Sequence, residues 1–256
     1  MKRVCFPLVA LALALNAFAA NPNLPKNNFA AFPTITIPVM ANNPGAIAGT
    51  FYKTKVVILN PTNLTYAIQV TLYRDGQVAQ RTINMAPGQV RNYDNFLEQI
   101  FAYAGAGSVV FDSWNVPNGS PLYEFIVSAE VYTDSPNGRF TTVVTSGALL
   151  DSISNFSEAF SLGLSVDDSR RTNIGAFNDS NSANAINADL YDASGNLLNT
   201  VPLNLNPKSW SQIPLQITVT NGYIKWRANG PAYCYAVAVD NQSNDGTFIP
   251  AAEFAP

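Results

Sequence analysis

Thr54-Lys-Val-Val-Ile-Leu-Asn60, followed by Tyr73, Gly76 and Pro87, returns as Thr172-Asn-Ile-Gly-Ala-Phe-Asn178, followed by Tyr191, Gly195 and Pro207. The offset is 118 residues at the threonines and tyrosines, 119 at the glycines and 120 at the prolines, so one-residue insertions keep the frame. Further on the register resumes at 108, where Ser128-Ala-Glu-Val131 through Gly138 and Phe140 matches Ala236-Val-Ala-Val239 through Gly246 and Phe248. A unit of roughly 100 residues written twice is the size of a domain. The expected division is a signal segment over residues 1–19, a first copy over 20–147 and a second over 148–256. The small, polar stretch Ser146 to Asn155 marks the boundary.

Within each copy the hydrophobic period is two. Ile68, Val70 and Leu72 fall on one face, with Gln69, Thr71 and Tyr73 on the other; Ile186, Ala188 and Leu190 repeat this against Asn187, Asp189 and Tyr191. Such alternation is a half-buried strand. Further inward rows are Phe125, Val127, Ala129 and Val131, matched by Tyr233, Tyr235, Val237 and Val239, and Val109 with Phe111, matched by Ile224 with Trp226. Asp75-Gly76, Asn137-Gly138, Ser194-Gly195, Asn221-Gly222 and Asp245-Gly246 separate the runs with residues that accept tight hairpin turns. The pattern predicts an all-β chain of two tandem antiparallel, immunoglobulin-like β-sandwiches from an internal duplication. One short helix is expected from Asn95 to about Ala104, capped by Asp94, with Phe96, Leu97, Ile100 and Phe101 as its apolar stripe. Trp226 and Trp210, aligned with Phe111 and Val90, are expected in the cores.

Met1 to Ala19 has the form of a secretory signal: Lys2 and Arg3, the apolar run Phe6 to Leu15, and Ala17-Phe18-Ala19 as cleavage site, which puts the mature start at Ala20. The apolar run is too short to span a bilayer, so the expected location is extracellular, at the cell surface, or periplasmic. Loss of Lys2 and Arg3 takes the formal net charge from −3 to −5. A sparse, acidic surface argues against nucleic acid, which needs clustered Lys and Arg. The one basic doublet beyond the signal segment, Arg170-Arg171, comes one residue after Asp167-Asp168 and reads as a locally neutralised strand entry rather than an anion site. There is no histidine, which removes Ser-His-Asp and Cys-His catalysis and imidazole-bound zinc. The mature chain keeps one cysteine, Cys234, so an intramolecular disulfide is excluded and each unit depends on its apolar core; 47% hydrophobic residues suffice.

Arg171-Thr-Asn-Ile-Gly-Ala-Phe-Asn178, Gly105-Ala-Gly-Ser-Val109 and Asp240-Asn-Gln-Ser-Asn-Asp-Gly-Thr-Phe-Ile-Pro250 together resemble a group of secreted bacterial proteins built from paired immunoglobulin-like β-sandwich modules. The resemblance covers most of residues 30–250. It implies a fold, an extracellular setting and a non-catalytic role, and brings no catalytic residues.

Candidate chemistry is thin. Thr54/Thr172, Asn60/Asn178 and Tyr73/Tyr191 occur in both copies, which two equal folds need and one active site does not. Asn241-x-Ser243-x-Asp245-Gly246 resembles the start of a calcium loop, with Asp240 and Asp245 as the carboxylates, but Ala252 stands where the twelfth-position Glu belongs. A hairpin turn is the simpler reading, and no cofactor is expected. Glu124 and Glu130 share a strand face but lie roughly 20 Å apart at about 3.3 Å per residue, too far for a glycosidase pair. Trp114, in the insertion Ser113 to Pro121 of the first copy, could stack on a sugar ring with Asn115 and Asn118 binding hydroxyls, or could simply cover the end of the sandwich. Cys234, opposite the inward row of its strand, is expected to be partly buried. Thr34, Ile35, Thr36 and Ile37, bracketed by Pro33 and Pro38, read as an edge strand: the first of copy one, or an assembly strand exchanged between molecules. The sequence thus favours a secreted, non-catalytic surface or matrix protein acting through contacts with proteins or with itself. A carbohydrate-binding protein is the alternative and a glycoside-cleaving enzyme the third reading.

Overall fold

The computed structural model describes residues 34–74, 76–113, 124–135, 138–146, 153 and 158–253. Residues 1–33, which include the expected signal segment, Asp75, the Trp114 loop, Asn137 and most of the stretch between the copies lie outside the described residues. In chain order the first half holds β1 (Thr34–Pro44), β2 (Phe51–Leu59), β3 (Tyr66–Arg74), β4 (Gln77–Met85), β5 (Val90–Tyr93), α1 (Phe96–Phe101), β6 (Gly105–Asp112), β7 (Ile126–Ser135) and β8 (Gly138–Val144). The second holds β9 (Ala159–Val166), β10 (Arg170–Asn178), β11 (Asn184–Tyr191), β12 (Leu197–Leu205), β13 (Trp210–Pro214), β14 (Val219–Ala228), β15 (Ala232–Asp240), β16 (Gly246–Pro250) and β17 (Ala252–Glu253). Every pairing between these strands is antiparallel, and the architecture is an all-β sandwich.

The two halves pair alike. β2 lies between β5 and β7, as β10 lies between β13 and β15; β3 lies between β4 and β6, as β11 lies between β12 and β14. In the second half these form two separate sheets, β13-β10-β15-β16 and β12-β11-β14-β9-β17. In the first half β1 joins the two layers. Its stretch from Thr34 to Asn42 pairs with β6, its last residues Asn42 to Pro44 pair with β2, and the register shifts between Ile37 and Met40, around Pro38.

Alternation fills two cores. Ile68, Val70 and Leu72, with Val56, Ile58, Val109 and Phe111, are fully buried in the first; Ile186, Leu190, Ile224 and Trp226 are fully buried in the second. The helix closes the first core with Phe96, Leu97 and Phe101 and is shorter than expected. Asn95, not Asp94, stands at its N-cap, and the Asn95 side chain does not cap: its Nδ2 donates to Asn42 Oδ1 at 2.8 Å. The helix ends at Ala102, left-handed at φ 50°, where the Ala102 and Tyr103 amides take the Glu98 and Leu97 carbonyls at 2.9 and 3.2 Å.

The main departure from the expected pattern lies in β15. Ala232, Cys234 and Ala236 face the second core, while Tyr235 belongs to the first core and Tyr233 and Val237 pack against it. The row expected to point inward within its own copy therefore points into the other copy. Phe248 from β16 joins the first core, its ring 5.3 Å from that of Tyr235, and Trp210 packs on the same cluster. Trp210 is thus an interface residue, whereas Val90, its counterpart, is 59% exposed. Gly175, paired with Tyr235, makes the arrangement possible: a Cβ at Gly175 would overlap the tyrosine ring. Tyr235 OH donates to Gln212 Oε1 at 3.1 Å and accepts from Trp210 Nε1 at 2.9 Å, so the phenol is buried with its hydrogen bonds satisfied.

Candidate functional site

The repeated polar residues serve the fold. Asn60 donates from Nδ2 to the Leu64 and Ala86 carbonyls at 2.8 and 2.9 Å and accepts at Oδ1 from the Thr62 amide at 2.9 Å. Asn178 does the same in the second copy, with Ser182 and Asn206 carbonyls at 2.8 Å and the Ser180 amide at 3.0 Å. Thr54 and Thr172 are fully buried, bonding to the main chain of Ala41 and Ser165 respectively. Tyr191 stacks on Tyr223 at 4.9 Å; Tyr73 instead meets Phe177 of the other half at 5.2 Å.

The other residues singled out by sequence are placed as follows. Trp114, Asn115 and Asn118 lie outside the described residues. Glu124 is exposed, and Glu130 stands 4.0 Å from Lys55. Cys234 is 2% exposed, which corrects the expectation of partial burial: its strand is dry on both faces, and burial pushes the thiol well above the ordinary cysteine range. Along Thr34, Ile35, Thr36 and Ile37, β1 pairs with β6 of its own half; Ile35 and Ile37 are buried in the first core. In the second half the corresponding strand β9 also carries β17 on its far side, at Phe160–Ala252 and Ala159–Glu253.

The Asp240 loop joins the two halves. Asp240 Oδ1 accepts from the Gln242 and Ser243 amides at 2.8 Å and the Ser243 hydroxyl at 3.0 Å, and these bonds hold its carboxyl below the ordinary value. Among the described residues no three His, Cys, Asp or Glu side chains are grouped as a metal would need, and Asp240 and Asp245 stand in a turn. At its tip Asn244, left-handed at φ 60° and fully buried, reaches across. Its Nδ2 donates to Thr50 Oγ1 at 2.6 Å, and its carbonyl accepts from Tyr52 OH at 3.0 Å.

Arg171 completes this junction. Nη1 donates to Asn241 Oδ1 at 3.0 Å, and Nη2 to Asn244 Oδ1 at 2.6 Å and Tyr52 OH at 3.4 Å. Sequence proximity suggested that Asp167 or Asp168 neutralises it. Instead Asp167 Oδ1 is taken by Ser169 and by the Arg170 amide, and Arg171 turns to the junction, where its partners are neutral amides and a phenol. The cause is the strand period: Arg170 and Arg171 emerge on opposite faces of β10. Burial raises the Tyr52 phenol above its ordinary range, and the neighbouring guanidinium opposes that rise.

Beside this junction lies a cleft of about 400 Å³ between the halves. Val39, Phe140, Val237 and Phe248 form apolar walls; Arg171, Tyr52, Gln212 and Asn244 supply the polar groups, and among the described residues no carboxylate lines it. Sequence reading missed it because its lining comes from β1, β2, β7, β8, β10, β13, β15 and β16 at once. The legible signal was Arg171, at the head of the repeated phrase in a chain short of cations.

No family model matches the chain, and no curated protein matches it. Among solved structures, a Bacteroides uniformis β-glucuronidase overlaps 80% of this chain and 25% of its own at 9% identity and TM-score 0.18. A calcium-binding mutant of Bacteroides uniformis β-glucuronidase 2 does so over 80% and 26% at 8% identity and TM-score 0.17. The chain spans about a quarter of the length of these structures, and a likeness this slight carries no argument about fold or activity.

Proposed function

We propose that this chain is a secreted, non-catalytic structural component of a bacterial cell surface or extracellular matrix, working through contacts with proteins or with further copies of itself. The observation that carries the reading is the apolar junction: Tyr235 and Phe248 of the second sandwich are part of the first sandwich's core, which makes the pair one stiff unit. Its repeated buried polar groups, Asn60, Asn178, Thr54 and Thr172, hold main chain, as a load-transmitting scaffold requires.

Contacts would be made at the edges. β4 and β12 end their sheets at equivalent places in the two copies, and each carries an exposed apolar residue at or next to its start, Val78 at 58% and Leu197 at 55%. An open edge with apolar side chains is a template for strand addition. Light scattering on the chain from Ala20 onward, over a range of concentrations, tests this. Mass should grow with concentration, and Val78→Lys with Leu197→Lys should return it to that of a monomer. A wild type that stays monomeric throughout, and that fractionates with the cytoplasm, would end the reading.

A further inference from the structure

The Arg171 guanidinium holds a positive charge at the rim of an apolar cleft, and no carboxylate among the described residues pairs with it. Its hydrogen bonds leave the Nε–H and one hydrogen on Nη1 for another acceptor. A guanidinium partly withdrawn from bulk water and bonded only to neutral amides and a phenol favours an anion there, by a charge-assisted hydrogen bond. A second observation points into the same space. Thr133, which lines the cleft, is 1% exposed, and its hydroxyl is buried with no hydrogen-bond partner. Buried hydroxyls are rarely left so. The opposite walls, Val39, Phe140, Val237 and Phe248, offer ring-sized apolar surface. The volume of about 400 Å³ falls in the range of small-molecule sites, which favour the junctions of domains.

We infer that the cleft between the two sandwiches binds a carboxylate carried on an apolar, ring-sized body, with Arg171 taking the carboxylate and the Phe140 and Phe248 walls taking the ring. Asn244 and Tyr52 position the guanidinium; they hold it through Asn244 Oδ1 at 2.6 Å and the Tyr52 hydroxyl at 3.4 Å. Two sources share this chemistry: a free aromatic acid, and the chain end of a peptide whose last residue is aromatic. The proposal does not depend on the edge contacts above, and a monomeric wild type leaves it standing.

Titration calorimetry of the chain from Ala20 onward tests it with 3-phenylpropanoate, its neutral amide, propanoate, and a short peptide ending in Phe as free acid and as amide. At least one ring-bearing acid should bind, with its amide about tenfold weaker or worse, the equivalent of one charge-assisted bond. Propanoate, which has no ring, should be weaker still. Binding by 3-phenylpropanoate alone assigns the cleft to small acids, and binding by the peptide acid alone assigns it to chain ends; either supports the inference. Arg171→Gln should bring acid and amide to the same affinity. The acid–amide pair on the unaltered protein makes the same test without a variant, should that substitution disturb the junction. No binding by any acid, or equal binding of acid and amide to the wild type, overturns the inference.

Discussion

The sheet β5-β2-β7-β8 and its counterpart β13-β10-β15-β16 share strand order but neither the register of their last strands nor their surroundings. In the first, Val56 and Ile58 of β2 and Val127 and Ala129 of β7 face the core, while Lys55 and Glu130 are partly exposed on the other face and lie 4.0 Å apart. In the second, the inward face has shrunk to Ile174, Ala176, Cys234 and Ala236, and the outer face carries Gly175, Phe177, Tyr233, Tyr235 and Val237 against the first half. The difference shows how a duplicated fold becomes one object. A sheet wet on one side is turned dry on both by moving its bulk from the inner face to the outer. Tyr235 replaces nothing in the first copy's own core; it extends that core into the second copy.

The comparison breaks most readily at Tyr235. Tyr235→Ala removes a fully buried ring from the first core and leaves Trp210 and Gln212 without their partner, and should cost about 3–5 kcal/mol in chemical denaturation. Loss of less than about 1 kcal/mol would mean the two halves merely touch. Next is the exchange of the paired positions Val57 and Gly175. Gly175→Val restores the first copy's residue but drives it into the Tyr235 ring, and should cost about 2–3 kcal/mol. The reverse, Val57→Gly, removes half-buried surface and stiffness from a strand, for about 1 kcal/mol. Equal costs for the two would contradict the asymmetry.

Asn60 and Asn178 sharpen the comparison from the opposite side, since here the copies agree. Each holds a turn by the same set of bonds, so Asn60→Ala and Asn178→Ala should each cost about 2 kcal/mol and differ little. A large difference would show that the turns are not equivalent. The smallest effect is at Asp240, whose place in the first copy is taken by Thr133: Asp240 pairs with Arg170 as Thr133 pairs with Tyr52. Its carboxyl lies below the ordinary 3.8 because the Ser243 and Gln242 amides bind its charged form. The stability this gives is present above pH 3.8 and is lost as pH falls through the lower folded-state value. The melting temperature of the wild type should therefore drop more steeply below pH 3.8 than that of Asp240→Asn, which keeps the acceptor but does not titrate.

Much of the fold was legible because its signals are local. The repeat from Thr54 and Thr172, the alternation around Ile68 and Ile186, and the glycine turns each act over a few residues, and strand pairing follows them. The facing of β15 was not legible. Alternation identifies an inner face only when the other face is wet, and Tyr233-Cys-Tyr-Ala-Val237 is apolar throughout, so the larger residues were taken as the inner row. Gly175, standing where the first copy has Val57, was the one local sign that something large lies above the sheet. Arg171 was misread for a related reason: its sequence neighbours Asp167 and Asp168 are acidic, but its partners Asn241, Asn244 and Tyr52 come from distant turns. Sites assembled between copies leave no spacing in either copy.

Differential scanning calorimetry of the chain from Ala20 onward tests the shared core most directly. With Tyr235 and Phe248 inside the first core, neither half can unfold without exposing the other's apolar face. The wild type should show one transition with equal calorimetric and van't Hoff enthalpies, and Tyr235→Ala should broaden it or split it in two. Two separate transitions in the wild type, unmoved by Tyr235→Ala, would contradict the account.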